Sequence, residues 1–388
     1  MELTKYEQDA LDGNHGDALE TSYRILVAVG EATDATKLIP IQWAHVSGVN
    51  YNTIGNAGAK FLSEFSETAK TRVMTTLNPT GYDIDQLQNS DIDENFIHEQ
   101  DNINNSYVKM GVTPSFSCIP YDIYKIPNSG TQVAFAESNA AIHANSVDHL
   151  KTNKESAFSA LASAITGKSI YSNIRNNDFD SPEISVKCQL DIQNELECGI
   201  LGYYVGQTSK KIVDIDGSFN MNEIETKSLC GGIGTSGQCV KYTINNSKPD
   251  TEKINFDKND FGNVYDKLNT SDDGDLIAFG SPQLGMTELL QMSNMLKNKK
   301  FTKPCMIFCP RMVKNQANVL GFVNKLKRAG CEICSDCCMC FTPLLTKKNL
   351  DSVITNSVKG SYYLNTKNKL HTNLKPLKQI INENTTNS

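Results

Sequence analysis

Short apolar runs, each closed by a cluster of glycine, asparagine or serine, recur along this chain, and that alternation confines it to an α/β architecture. The stretches VKCQLDI, ECGILGYYVG and DLIAFG are predicted strands with Gly or Asp at their ends. CMIFCP is a short buried strand by its apolar content. Helical spacing fills the intervals. Thr4 and Glu7 make a capping pair, and an apolar-periodic stretch from Ala18 to Val29 follows within a helical region over residues 1–40. Thr287–Leu296 has helical spacing with a cap at Thr287, and Met312–Ala329 reads as the helix after CMIFCP. Such a strand–helix–strand succession predicts largely parallel sheets.

The polar clusters fall where strands would end. They are WAHVSGVNY (Trp43–Tyr51), TTLNPTGYD (Thr75–Asp83), SFSCIPYD (Ser115–Asp122), AFAESNAAIHANS (Ala134–Ser146) and TNSVKG (Thr355–Gly360). Ligands of open α/β sheets gather at the carboxyl ends of strands, so these clusters are candidate site segments. Ser47, Gly48 and Val49 can offer backbone N–H groups to an anion, and Asn78 is held extended by Pro79. Taken singly, each cluster is also an ordinary turn, because Gly, Pro, Asn and Ser dominate turns. Asn173–Pro182 and Asn245–Asp260, rich in Asn, Asp and Lys, are predicted surface loops. The chain turns Asn/Lys/Thr-rich from Thr366, and residues 376–388 are a predicted polar, disordered tail. There is no internal repeat.

Composition narrows the function classes. With 388 residues the chain can bury the core of one large domain or two to three smaller ones. A net charge of −7 gives no basic footprint for nucleic acid. No apolar run approaches the roughly 20 residues that cross a bilayer. The opening MELTKYEQDALDGNHG is too polar for a signal peptide, so a cytoplasmic location is expected. Five of the 12 cysteines crowd into Cys331–Cys340 (CEICSDCCMC), which suits metal chemistry or buried thiols better than disulfides. Cys331, Cys334 and Cys337 have the C-x2-C-x2-C spacing of a ferredoxin run, although Phe341 stands at its fourth position. Zinc suits the run less, since tetrahedral sites space their ligand pairs further apart.

Several segments together carry a resemblance. LTKYEQDALDG, IPIQWAHVSGVNYNTIGNAGAKFL, TTLNPTGYD, CIPY, AESNAAIHANS, KTNKE and SALASAITG resemble the aconitase X large subunit closely over residues 1–170. LGYYVG, GDLIAFGSP, SDCCM and TNSVKG continue the likeness more thinly. Ser-Gly-Val after His45 looks like the phosphomevalonate dehydratase branch rather than the hydroxyproline dehydratase branch. The resemblance implies an aconitase-like multidomain α/β fold over residues 1–375, in lobes of about 1–185 and 186–365, with the active site between domains. It implies a dehydratase whose 4Fe–4S cluster is held by three cysteines, leaving one iron open to a hydroxy acid while a base removes the neighbouring proton. Two of those cysteines match Cys118 and Cys338.

The second family ligand lies in a Gly-Cys-Pro-His segment, and here the chain reads Gly280-Ser281-Pro282-Gln283. Serine binds iron poorly beside a thiolate, so the third donor is Ser281 or one of Cys334, Cys337 and Cys340. Gly48, Val49, Asn50, Asn78, Pro79, Glu137, Ser138 and Lys359 match the family's substrate contacts. Lys154 stands where the family prefers arginine and loses a bidentate fork for an anion. His45 is either a hydrogen-bonding pocket residue or a core histidine; His143 and His149 read as structural, and Cys305 and Cys309 as core. The implied serine base is not in this chain, and a separate small swivel subunit is expected to bring it. The implied reaction is dehydration of phosphomevalonate; the alternatives are another hydroxy acid such as a hydroxyproline, or a non-catalytic binding or assembly subunit.

Overall fold

The computed structural model describes residues 1–89, 92–176, 181–208, 210–346 and 350–387. Three parallel sheets organise it. The first has Trp43–Val46 between Met74–Leu77 and Val133–Phe135. The second runs Lys241–Ile244, Ile212–Asp216, Ile184–Cys188, Glu252–Phe256. The third runs Cys331–Ser335, Cys305–Cys309, Leu276–Phe279, Ser352–Thr355, His371–Leu374. Trp43–Val46, Leu276–Phe279 and Cys305–Cys309 are buried at every position, as strands covered by helices on both faces must be. This is the α/β architecture expected from the sequence. Two short antiparallel pairs, Leu38–Pro40 with Lys168–Ile170 and Lys299–Phe301 with Thr385–Asn387, tie distant segments together. Among the described residues no helix is long and apolar enough to cross a membrane.

The N-terminal helices Lys5–Leu11 and Asp17–Ala32 form where expected, with the Thr4–Glu7 capping box intact. Several expectations need correction. ECGILGYYVG is not a strand but lies in the helix Glu195–Gln207, capped by Asn194. Its Gly199, Gly202 and Gly206 are spaced to make one helical stripe, which packs against the helix Glu223–Ser236. A Cβ at Gly202 would sit 2.3 Å from the Leu229 carbonyl oxygen, and one at Gly232 would sit 2.2 Å from that of Gly199. The two backbones therefore touch, and the glycines mark a helix contact rather than strand ends.

Met312–Ala329 divides into Arg311–Val319 and Phe322–Arg328, because Gly321 adopts a left-handed φ of 80° between them. The helix expected at Thr287 starts at Met286, and its cap lies at Gly285, whose N–H donates to the Glu288 carboxylate at 2.6 Å. Within Asn245–Asp260 the strand Glu252–Phe256 completes the second sheet, and Asp257 caps the helix Lys258–Leu268. Part of Asn173–Pro182 lies outside the described residues. Its Arg175 is buried, donating to Glu155, Ser169 and two backbone carbonyls, so that end is an anchor.

The tail is not disordered where it is described. Leu377–Asn384 is a helix whose Leu377, Ile380 and Ile381 enter the core of the third sheet, and Thr385–Asn387 pairs as a strand. Three apolar residues at i, i+3 and i+4 are stripe enough to dock a short helix, even among Asn, Lys and Thr.

Candidate active site

One cavity of about 990 Å³ opens at the carboxyl ends of strands from the first and third sheets. Strand Trp43–Val46 runs out into Ser47–Asn50, and Met74–Leu77 into Asn78, Pro79 and Thr80. Val133–Phe135 leads to Glu137 and Ser138 at the start of the helix Ser138–Ser146. From the third sheet, Ser352–Thr355 leads to Lys359, and Cys331–Ser335 leads to Cys338 and Cys340. Cys118 arrives on the loop before the short helix Pro120–Ile123. Gly48, Val49, Asn50, Asn78, Pro79, Glu137, Ser138 and Lys359 thus share one wall system with Cys118 and Cys338.

Local chemistry fixes these loops. Gly48 has a φ of 76°, and a Cβ there would lie 2.7 Å from that of Ala157, so only glycine fits. Its carbonyl accepts from the Tyr107 hydroxyl at 3.2 Å, and that of Val49 from the Gln100 amide at 2.8 Å. Asn50 caps the helix Tyr51–Phe65 and donates to the Phe341 carbonyl, joining this loop to the cysteine loop. On the far side, Thr80 N–H donates to the Asp336 carbonyl at 2.9 Å. Arg311 grips the Asp336 carboxylate, and Ser335 N–H donates to Asp83 at 2.8 Å, so the turn carrying Cys337 and Cys338 is held at both ends.

A chain of hydrogen bonds with one consistent direction ends at the cavity. Trp43 Nε1 donates to Thr76 Oγ1 at 2.8 Å, which lies 2.8 Å from His45 Nδ1. His45 Nε2 lies 2.9 Å from Asn78 Oδ1, and Asn78 Nδ2 donates to Glu137 at 2.7 Å. Asn78 spends its N–H on the carboxylate, so its oxygen must accept. His45 therefore carries its proton on Nε2, and Nδ1 accepts from Thr76. Burial favours that neutral ring and pushes the imidazole pKa down to about 4, against the weaker pull of Asn78 and Glu137. His45 is a fully buried residue that orients Asn78, which resolves the two roles left open by sequence.

Glu137 and Lys359 form a buried ion pair at the centre of the site, with Lys359 also donating to Asn139 Oδ1 at 2.7 Å. Burial would lift the Glu137 carboxyl, but the Lys359 ammonium and the Asn78 amide outweigh it and hold its pKa below the usual range. Burial disfavours the Lys359 charge, yet Glu137 outweighs it and keeps the ammonium protonated. Lys359 is the only cationic side chain lining this cavity among the described residues.

Three thiols line the cavity: Cys118, Cys338 and Cys340. Burial raises the Cys118 thiol, with Lys359 pulling the other way. Hydrogen bonding to Cys340, then burial, raises Cys338. Ser281 belongs to a small neighbouring cavity, and its hydroxyl lies 3.0 Å from Cys340 Sγ. Gln283 clamps both cysteine loops: its backbone N–H donates to Cys118 Sγ at 3.2 Å, and its amide bonds Cys118 N–H and the Cys337 carbonyl. Sequence reasoning treated Gln283 only as a missing histidine; no local signal reveals a clamp between residues so far apart in the chain.

The ferredoxin-like reading of Cys331, Cys334 and Cys337 fails on geometry. Alternation along the strand Cys331–Ser335 sends Cys331 to the face of Cys305 and Cys309, and Cys334 to the opposite face. Cys334 and Cys337 are buried among Leu276, Ala278 and Met306. Among the described residues no three His, Cys, Asp or Glu side chains form a set for a single ion. A cubane asks for something else, since each of its thiolates binds a separate iron. Lys154, expected to lack the arginine's fork for an anion, spends its ammonium on the backbone. It donates to the Gly234 and Gly237 carbonyls at 3.0 and 2.8 Å, capping the end of the helix Glu223–Ser236 beside a different cavity.

Three comparisons agree on kinship. Models of the aconitase X first, second and third domains match residues 1–174, 182–266 and 274–386. The phosphomevalonate dehydratase large subunit of Methanocaldococcus jannaschii is 35% identical over 385 residues, covering 94% of this chain and 95% of that one. That of Thermococcus kodakarensis is 31% identical, again covering 94% of this chain and 95% of its own length. The crystal structure of the holo-form of Thermococcus kodakaraensis aconitase X superimposes with a TM-score of 0.90 at 29% identity, covering 99% of this chain and 100% of that one. With three domain models spanning nearly its whole length, this chain belongs to the aconitase X family.

Proposed function

We propose that the chain is the large subunit of an iron–sulfur hydro-lyase that dehydrates (R)-5-phosphomevalonate to trans-anhydromevalonate 5-phosphate. The observation that carries this reading is the meeting of the Glu137–Lys359 pair with the thiols of Cys118 and Cys338 around one cavity. Relatives named for this reaction, matched over nearly their whole length, support the choice of substrate.

The donor set fits a 4Fe–4S cluster, because thiols ionise on binding iron and Lys359 offsets the resulting negative charge. Cys118 and Cys338 would hold that cluster, which when bound supplies a Lewis-acidic iron for the departing hydroxyl. Lys359 meets the substrate carboxylate with an ammonium already fixed by Glu137 and Asn139, so little reorganisation is needed. Asn78, locked by His45, and Ser138 flank the hydroxyl-bearing carbon. Gly48, Val49, Asn50 and Pro79 shape the wall, and the backbone N–H groups of Gly48 and Val49 serve an anionic group. Losing water removes a proton from the carbon next to the carboxylate and a hydroxyl from the carbon beyond it, leaving a C=C bond. The base for that proton is a serine on a separate small swivel subunit that closes over the cavity.

Anaerobic reconstitution of the chain with its small subunit, followed by mass-spectrometric assay of phosphomevalonate, tests the proposal. Anhydromevalonate phosphate formed by the pair, and not by either chain alone, is the expected result. No product above background overturns it, and faster loss of water from a hydroxyproline would move the substrate.

A further inference from the structure

We infer that Cys340 is the third sulfur donor of this site and that Ser281 serves it as a hydrogen-bond partner rather than as a ligand. The inference rests on the iron–sulfur reading above. Of the 12 cysteines, only Cys118, Cys338 and Cys340 line the cavity among the described residues. Cys334 and Cys337, the other candidates by sequence, are equally buried but do not line it.

The geometry at Ser281 explains how a thiol could be lost there and replaced. Cys340 Sγ lies 3.0 Å from Ser281 Oγ, so the sulfur of residue 340 sits within one hydrogen bond of the atom that residue 281 delivers. The backbone makes this possible. Cys338 and Cys340 lie on a turn, where the Phe341 and Thr342 N–H groups donate to the Cys338 carbonyl at 3.2 and 3.1 Å. A turn can bring residues i and i+2 to one wall beside each other, and Cys338 and Cys340 do line the same cavity.

Chemistry favours sulfur over oxygen at this position. A thiol releases its proton far more readily than a serine hydroxyl, and soft thiolate is the usual partner of cluster iron. Each thiol that binds gives its proton to solvent, and the metal–sulfur bond replaces the S–H bond. Ser281, whose backbone carbonyl is itself held by the Ser357 hydroxyl, is left to donate its O–H to the bound sulfur of Cys340.

The test is iron and acid-labile sulfide per chain, with the absorption spectrum, after anaerobic reconstitution of the full chain and four variants. Cys340→Ser should lower bound iron at least about tenfold and by more than Ser281→Ala, which removes only an outer partner, while Cys337→Ser retains the cluster. The transposed variant Cys340→Ser with Ser281→Cys should recover iron and spectrum, which a merely misfolded Cys340→Ser protein would not do. A Cys340→Ser chain with unchanged iron and spectrum overturns the inference and leaves the iron–sulfur reading standing, as does a loss of iron in Ser281→Ala as great as that in Cys340→Ser. An unsubstituted chain that takes up no cluster overturns both.

Discussion

Lys359 and Glu137 neutralise each other in a place where water reaches neither well, with side-chain exposures of 7% and 11%. Removing one partner leaves the other charged and unpaired, which costs more than removing both. Lys359→Met should therefore destabilise the protein by about 3–5 kcal/mol in urea titration, and Lys359→Met with Glu137→Gln should recover most of that loss. His45 gives a pH signature. Its folded pKa of about 4 lies below the usual value near 6.5, so between those values the unfolded chain binds the extra proton. Stability from this group is complete above about pH 6.5 and drains away as pH falls toward 4, by on the order of 3 kcal/mol. His45→Gln, which keeps an N–H donor for Asn78, should flatten that part of the stability–pH curve in cluster-free protein. An unchanged slope would show that His45 is not the group responsible. The motifs around residues 137 and 359 were legible in the sequence. Their pairing was not, because 222 positions separate them along the chain.

At the scale of elements, the helix pair Glu195–Gln207 and Glu223–Ser236 shows where local reading misleads. Gly199, Gly202 and Gly206 resemble strand punctuation, yet they create the flat surface on which Gly232 approaches within van der Waals contact. Gly232→Ala should cost about 1–3 kcal/mol or more, since the added methyl meets backbone that cannot step aside. Gly262 is the contrast. It lies inside the helix Lys258–Leu268, where an added methyl would have nothing within 4 Å, so Gly262→Ala should stabilise by roughly 0.5–1 kcal/mol. Chemical denaturation of both variants checks the pair, and equal effects would refute the close-packed reading. The C-terminal helix makes the same point in reverse, where three buried side chains outweigh a polar composition.

At the scale of the molecule, charged seams join segments from all three matched regions. Arg311 and Lys314 of the third region hold Asp83 of the first, with Lys314 at 3.0 Å. Lys227 of the second pairs with Glu288 of the third and lies 3.5 Å from Asp122 of the first. Burial opposes the Lys227 charge, but Glu288 and Asp122 outweigh it and keep it ionised. Seams of this kind couple the regions, so calorimetry should show one cooperative transition. Lys227→Met should lower that transition, by about 3 kcal/mol of stability, without splitting off a separate one. Two resolved transitions in the unsubstituted chain would refute the coupling.

Apolar periodicity and the chemistry of Gly, Asn, Pro and Ser are local properties, and they suffice for the parallel α/β plan, the N-terminal helices and the loop clusters at strand ends. Cys118 and Cys338 also stood out, because the short motifs around them are distinctive. What only the tertiary structure decided is which groups meet. Strand alternation parts Cys331 from Cys334, a turn sets Cys340 beside Ser281, Gln283 ties two distant loops, and Lys154 caps a helix and lines a different cavity. Those outcomes depend on contacts between residues far apart in the chain, whose positions are set by the packing of whole sheets rather than by any neighbouring sequence.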